Sequence, residues 1–136
     1  MKRWLLDTSA LLTLRDDEPG AERVAELLHL AQQGRAECLA FFITGMELLY
    51  RIWRDEGEAA GRLAHEQCLA LPIQWVHESP ELLLRAAELK ASYPLSLADA
   101  WIAASALEAN AILVHKDPEF DAVPVAQEPL PYKRAG

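Results

Sequence analysis

The chain is short of cysteine, of aromatic residues and of positive charge, and each shortage removes a class of protein. Cys38 and Cys68 stand far apart in apolar surroundings, outside any C-x-x-C pair or His/Cys zinc pattern, so both read as reduced core residues. Thirteen Lys and Arg against 21 Asp and Glu leave a formal net charge of −8. A protein that grips nucleic acid over a wide basic face needs the opposite balance, because such binding neutralises phosphates. Any polynucleotide would have to be held locally. No apolar run approaches the roughly 20 residues that span a bilayer. Met1-Lys2-Arg3 leads straight into Trp4-Leu5-Leu6 without a long apolar signal region, so the expectation is a soluble, cytoplasmic protein with no membrane partner.

Several chemistries lack their parts. The chain has no G-x-x-x-x-G-K-[ST] loop, no G-x-G-x-x-G turn, no G-x-S-x-G elbow and no Cys/His nucleophile pattern. Asp7-Thr8-Ser9 follows an apolar strand, but an aspartyl-phosphate phosphatase would carry a second aspartate where Ser9 stands. Hydrolysis without a protein nucleophile remains.

What is present is a 136-residue chain, 51% apolar, enough for one domain with a core that needs neither disulfide nor structural metal. Strand-like runs alternate with helical patterns. Arg3–Leu6 is apolar and extended, Ala10–Leu14 begins a helix, and 16–20 is turn chemistry. Val24, Leu27, Leu28 and Ala31 recur at helical spacing over Ala21–Gln33, which Gly34 ends. Cys38–Ile43 has strand length. From Thr44 the period becomes helical, with Leu48, Leu49, Ile52 and Trp53 on one stripe up to Gly57, and a further helix reaches about Leu71. Ile73–Val76 reads as a strand, and Pro80 opens a helix expected to turn Leu83, Leu84, Ala87 and Leu89 to the core. Leu97–Ala109 is a strongly apolar helix stopped at Asn110, and Ala111–His115 is β-branched and strand-like. The fold class expected is α/β, a three-layer sandwich with a central parallel sheet flanked by helices. Residues 1–125 are expected to form the domain and 126–136 an extended tail through Glu128-Pro129-Leu130-Pro131-Tyr132.

In such a sheet, ligands bind beyond the carboxyl ends of the strands. Asp7 and Asp117 stand just past two such ends, and Glu47 and Asp99 lie in the first turns of helices that could border the same crevice. Each has a structural explanation as well. Asp7 suits a turn, Thr44-Gly45-Met46-Glu47 spells a capping box with Arg51 at i+4, and Asp117 before Pro118 is an ordinary helix start. Asp99 could belong to a cap with Ser96, but it shares a face with Ile102, Ala103 and Ala106, the stripe headed for the core. A metal ligand accounts for that better than a cap. The structural explanations are independent of one another, whereas a shared cation predicts all four at once. Carboxylates about 5 Å apart repel by roughly 3 kcal/mol per pair at an effective dielectric near 20, and a divalent cation compensates them.

The other polar residues say less. His29, His65 and His77 are scattered, and Trp53, Trp75 and Trp101 sit in apolar segments as core or interface residues. His115 is near the expected site. Arg15, Arg51, Arg54 and Lys116 could supply charge to flanking phosphates, while Lys2 and Arg3 belong at the opposite end of the first strand.

Asp7-Thr8-Ser9-Ala10-Leu11-Leu12, Thr44-x-x-Glu47-Leu48-Leu49, Leu97-Ala98-Asp99-Ala100-Trp101-Ile102-Ala103-Ala104 and Asp117-x-x-Phe120 together resemble a PIN domain. More narrowly, residues 3 to 125 resemble the VapC-type ribonuclease toxins of prokaryotic toxin–antitoxin modules. The resemblance implies a PIN-like fold over 1–125 and an endoribonuclease dependent on Mg²⁺ or Mn²⁺, a homodimer held in check by a small antitoxin and acting on RNA. It carries Asp7, Glu47, Asp99 and Asp117 over as the acidic quartet and metal ligands, with Asp7 and Asp99 principal and Ser9 as a supporting hydroxyl. One departure is visible: the family often has Ser or Thr two residues before its last aspartate, where this chain has His115. A housekeeping RNA or DNA nuclease without an antitoxin, and a non-catalytic interaction module on the same fold, are the alternatives.

Overall fold

Five strands, β1 (Arg3–Leu6), β2 (Glu37–Phe41), β3 (Ile73–Val76), β4 (Ile112–His115) and β5 (Gln127–Pro129), pair in parallel in the order β3-β2-β1-β4-β5. The computed structural model describes residues 1–132. Six helices connect the strands: α1 (Thr8–Arg15), α2 (Ala21–Gln32), α3 (Phe42–Glu56), α4 (Glu58–Leu69), α5 (Pro80–Ser92) and α6 (Leu97–Glu108). A 3₁₀ turn at Pro118–Phe120 follows β4.

Strand alternation sorts the core into two layers. Leu5, Leu39, Phe41 and Leu113 pack with Leu82, Ala86 and Leu89 of α5 and Ile102, Ala103 and Ala106 of α6. Trp4, Leu6, Cys38 and Val114 face the other way, onto Leu11, Val24, Leu27, Leu48, Ile52 and Ala64 of α1 to α4. This is the expected three-layer α/β/α sandwich. Cys38 and Cys68 are free and buried in the second layer, and burial pushes each thiol up to about 11. Among the described residues no helix is long and apolar enough to cross a membrane.

Four expectations are corrected. First, β2 ends at Phe41 and α3 begins at Phe42. Strand and helix join without a loop, the N-cap is Phe41 with no side-chain hydrogen bond, and Thr44 lies inside the first turn, so no capping box forms. Second, α5 turns Leu82, Ala86 and Leu89 inward, while Leu83 and Leu84 are exposed. Three consecutive leucines leave the helical phase open to one residue's rotation, and packing on α6 decides it. Third, Trp53 lies outside the core, 41% exposed at the junction of α3 with α4, where Arg62 lies over its ring. Fourth, the segment expected as a tail from 126 enters the sheet: β5 pairs with β4, and Leu130 is buried in the second layer. Residues 133–136 of that tail lie outside the described residues.

The chain steps outward from β1 to β2 and β3, then returns to β4 on the opposite side of β1. The crevice at the carboxyl ends of β1 and β4 is therefore the topological switch point, where such folds place ligands.

Candidate active site

Asp7 is the residue immediately after β1. Its backbone N–H continues the ladder to the Val114 carbonyl at 3.0 Å, and its side chain caps α1. Oδ2 accepts the Ser9 backbone N–H at 3.1 Å and also a short bond from the Ser9 hydroxyl. Ser9 Oγ in turn accepts the Lys116 backbone N–H at 2.9 Å, which ties the residue after β4 to the start of α1. Capping therefore occupies one oxygen of Asp7 and does not exclude a second role for the other. Asp7 is buried, and the desolvation holds its proton up to about pH 6; the Ser9 bonds oppose that shift, and the charges of Glu47 and Asp117 add to it.

Asp99 sits in the first turn of α6, whose cap is Ser96: the Ser96 hydroxyl accepts the Asp99 backbone N–H at 3.1 Å. The aspartate side chain is thus free of capping and 8% exposed. Its proton is held well above the usual carboxylate range, first by burial, then by the negative charge of Asp7, then by hydrogen bonds to Glu119 and Asp117. Asp117 resembles Asp7 in using one oxygen, Oδ1, to accept the Glu119 N–H at 2.9 Å and open the 3₁₀ turn.

Glu47 comes from α3. Thr8 donates its hydroxyl to Glu47 Oε1 at 2.8 Å and lies 3.1 Å from the Thr44 hydroxyl, all in the seam between α1 and α3. Arg51, one turn on, is 3.7 Å from Glu47 Oε2.

All four acids expected from the sequence line one cavity of about 200 Å³, together with Thr8, Ser9, Arg51, Ser96 and Glu119. Within it, Asp99, Asp117 and Glu119 each offer an oxygen within 4.8 Å of the others. Asp7 and Glu47 border this trio without belonging to it. Glu119 was not anticipated. Its signal in the sequence is the Asp117-Pro118-Glu119 turn, in which the aspartate caps the glutamate's own N–H and so turns both acids to one side. A Glu119 oxygen also accepts the Ser96 N–H through a short bond, joining the turn to the start of α6.

The cationic residues divide. Arg51 lines the cavity, Arg15 and Arg54 line the adjoining cleft with Tyr50, and Lys116 does neither. The Lys116 side chain is buried, with Glu18 at 3.6 Å, so the expectation that it faces substrate phosphates is not met. His115 is wholly buried and touches none of the cavity.

Four acids and the Glu119 carboxylate face one lining arginine in the cavity, and burial first, with the neighbouring acids adding to it, raises the protons of Asp7 and Asp99. The donor set is all oxygen and largely carboxylate, which suits a hard divalent cation and no soft one.

No curated protein matches this sequence. A chain of the VapBC2 complex from Rickettsia felis, bound to a DNA fragment from its promoter, has the same fold with a TM-score of 0.78 and 18% identity, over 95% of this chain and 99% of that one. VapBC-1 from nontypeable Haemophilus influenzae gives 0.71 at 24% identity, covering 93% and 97%. VapC20 from Mycobacterium tuberculosis, a toxin that cleaves the sarcin-ricin loop, gives 0.69 at 16%, covering 90% and 96%. At the level of sequence, the PIN domain family model matches residues 4–126, from β1 to the threshold of β5, and the chain belongs to the PIN domain family.

Proposed function

We propose that this protein is a divalent-cation-dependent endoribonuclease and the toxin of a VapBC-type pair, cytoplasmic, homodimeric and restrained by a small antitoxin. The observation that carries the reading is the grouping of Asp99, Asp117 and Glu119 within 4.8 Å, beside a buried Asp7, at the switch point of the sheet. Asp99, Asp117 and Glu119, with Asp7, would hold Mg²⁺ or Mn²⁺, which supplies Lewis acidity and neutralises charge building on the phosphate. Glu47, oriented by Thr8, directs the attacking water and takes its proton. Arg51 donates to a phosphate oxygen. Water adds to phosphorus in line, the opposite P–O bond breaks, and the RNA is cut without a covalent enzyme intermediate. The likeness to VapBC complexes supports an antitoxin partner, whose Arg or Lys could pair with the carboxylates and exclude RNA.

The test is cleavage of single-stranded RNA by wild type and Asp99→Asn, in EDTA and in millimolar Mg²⁺ or Mn²⁺. Cleavage should require the cation and fall by about a hundredfold or more in the variant. Activity that survives EDTA, or a variant close to wild type, would sink the nuclease reading. Co-purification of a small basic protein from the native host separates a toxin from a housekeeping nuclease.

A further inference from the structure

His115 stands where the family often has Ser or Thr, and its surroundings dictate where its ring proton lies. The Asp117 backbone N–H donates to Nδ1 at 3.0 Å, so Nδ1 carries a lone pair and the proton is on Nε2. Nε2 lies 2.8 Å from Gln127 Oε1, which therefore accepts. The Gln127 amide nitrogen is left with two protons, and it meets two acceptors, the carbonyls of Phe120 and Val123 at 2.7 and 3.1 Å. Each donor in this part-buried chain has an acceptor, and reversing any one bond would set N–H against N–H or oxygen against oxygen. The Phe120 ring packs on the imidazole at 4.9 Å.

The two ends of the chain reach different carboxylates. The Nδ1 bond holds the peptide of Asp117 itself. The Nε2 bond, through Gln127 on β5, holds the carbonyls at the end of the turn that carries Glu119. Serine or threonine has one polar atom and could serve only the first of these. The longer imidazole spans both, and Gln127 is its counterpart on the edge strand.

We propose that His115 is a positioning residue: this relay from the buried His115 to the half-buried Gln127 sets the placement of Asp117 and Glu119, and hence the fit of the site to a divalent cation. The inference rests on the cation reading of the site. It makes β5 part of that site's construction, although no residue of β5 lines the cavity.

Asparagine and glutamine separate the two bonds. In His115→Asn, Oδ1 occupies the place of Nδ1 and can accept the Asp117 N–H. In His115→Gln, the amide reaches the place of Nε2 and can donate to Gln127, but the Asp117 N–H loses its acceptor. Mn²⁺ affinity, measured by calorimetry on the intact protein without RNA, should weaken by about 10- to 100-fold in His115→Gln, which frees the Asp117 peptide, and by a smaller factor in His115→Asn and Gln127→Leu, which break the link to β5; wild-type affinity in both of the latter would overturn the relay. Equal weakening in the Asn and Gln variants would reduce His115 to a general packing residue, and wild-type affinity in His115→Gln would remove it from the site; either result overturns the proposal and leaves the cation reading intact. Wild type that binds no Mn²⁺ overturns both. Should the variants fail to fold, nitrogen-15 spectra of the wild-type imidazole decide: the Nε2–H form is expected, and an Nδ1–H form would overturn the relay.

Discussion

The Thr8 hydroxyl donates to Glu47 Oε1 at 2.8 Å, and this bond joins the first turn of α1 to the first half of α3. Both helices follow strands that lie side by side in the sheet, so the bond spans two strand ends. Replacing the capping box expected from the sequence, it fixes which way the Glu47 carboxylate turns.

Thr8→Val keeps the shape and removes the donor. Stability should fall by about 1 kcal/mol, the worth of one hydrogen bond, while turnover falls by about tenfold because Glu47 is no longer oriented. Thermal melts read the first and steady-state RNA cleavage the second. An unchanged turnover would take Glu47's orientation out of the mechanism.

The acid cluster should make the metal-free protein sensitive to pH. Asp7 has its proton held to about 6 in the fold against 3.8 as the ordinary value. Between those limits the native state binds more protons than the unfolded chain, so stability is fully present below 3.8 and is lost as pH rises to about 6, by about 3 kcal/mol for this group. Asp99, raised further by burial and by Asp7, extends the decline to higher pH. Asp99→Asn should therefore be more stable than wild type at neutral pH without metal. Mn²⁺ should raise the Tm of wild type and leave the variant nearly unmoved, since only the wild-type native state binds it. Equal shifts in both proteins would contradict a cation site built on Asp99.

At the other end of α3 the limit is steric. A Cβ added at Gly61 would lie 2.8 Å from the Leu49 carbonyl oxygen and 3.0 Å from Trp53 Cβ and N, mostly backbone that cannot yield. Gly61→Ala gains helix propensity of about 1 kcal/mol, yet separating α3 from α4 should cost more, for a net loss of about 1–2 kcal/mol in urea unfolding. A stabilised variant would show that the α3–α4 pair can part without penalty.

Much of the site was legible because its parts are local. A carboxylate at the edge of an apolar run is visible in the sequence wherever the run begins or ends, and Asp7, Asp99 and Asp117, which line the cavity, stand at such edges. Glu47 was found too, but with the wrong partner: Thr44 at i−3 suggested a cap, and only the approach of α1 shows Thr8 taking that carboxylate instead. Glu119 was missed because it stands among turn residues where an exposed acid is ordinary. Its proximity to Asp99 arises from the folding of the β4–β5 connection over the start of α6.

By itself the sequence determined the α/β class, the order of most elements and the carboxylates that end them, since periodicity, Gly and Pro punctuation and terminal charge are properties of neighbouring residues. The tertiary structure alone decided the face of α5, the entry of Gln127–Pro129 into the sheet, the withdrawal of Lys116 from the site and the proton position on His115. Each of these depends on contacts between residues far apart in the chain or on competition among near-equal local options. Leu82, Leu83 and Leu84 compete for one core, and a Pro-containing segment becomes a strand only because β4 has an open edge to receive it.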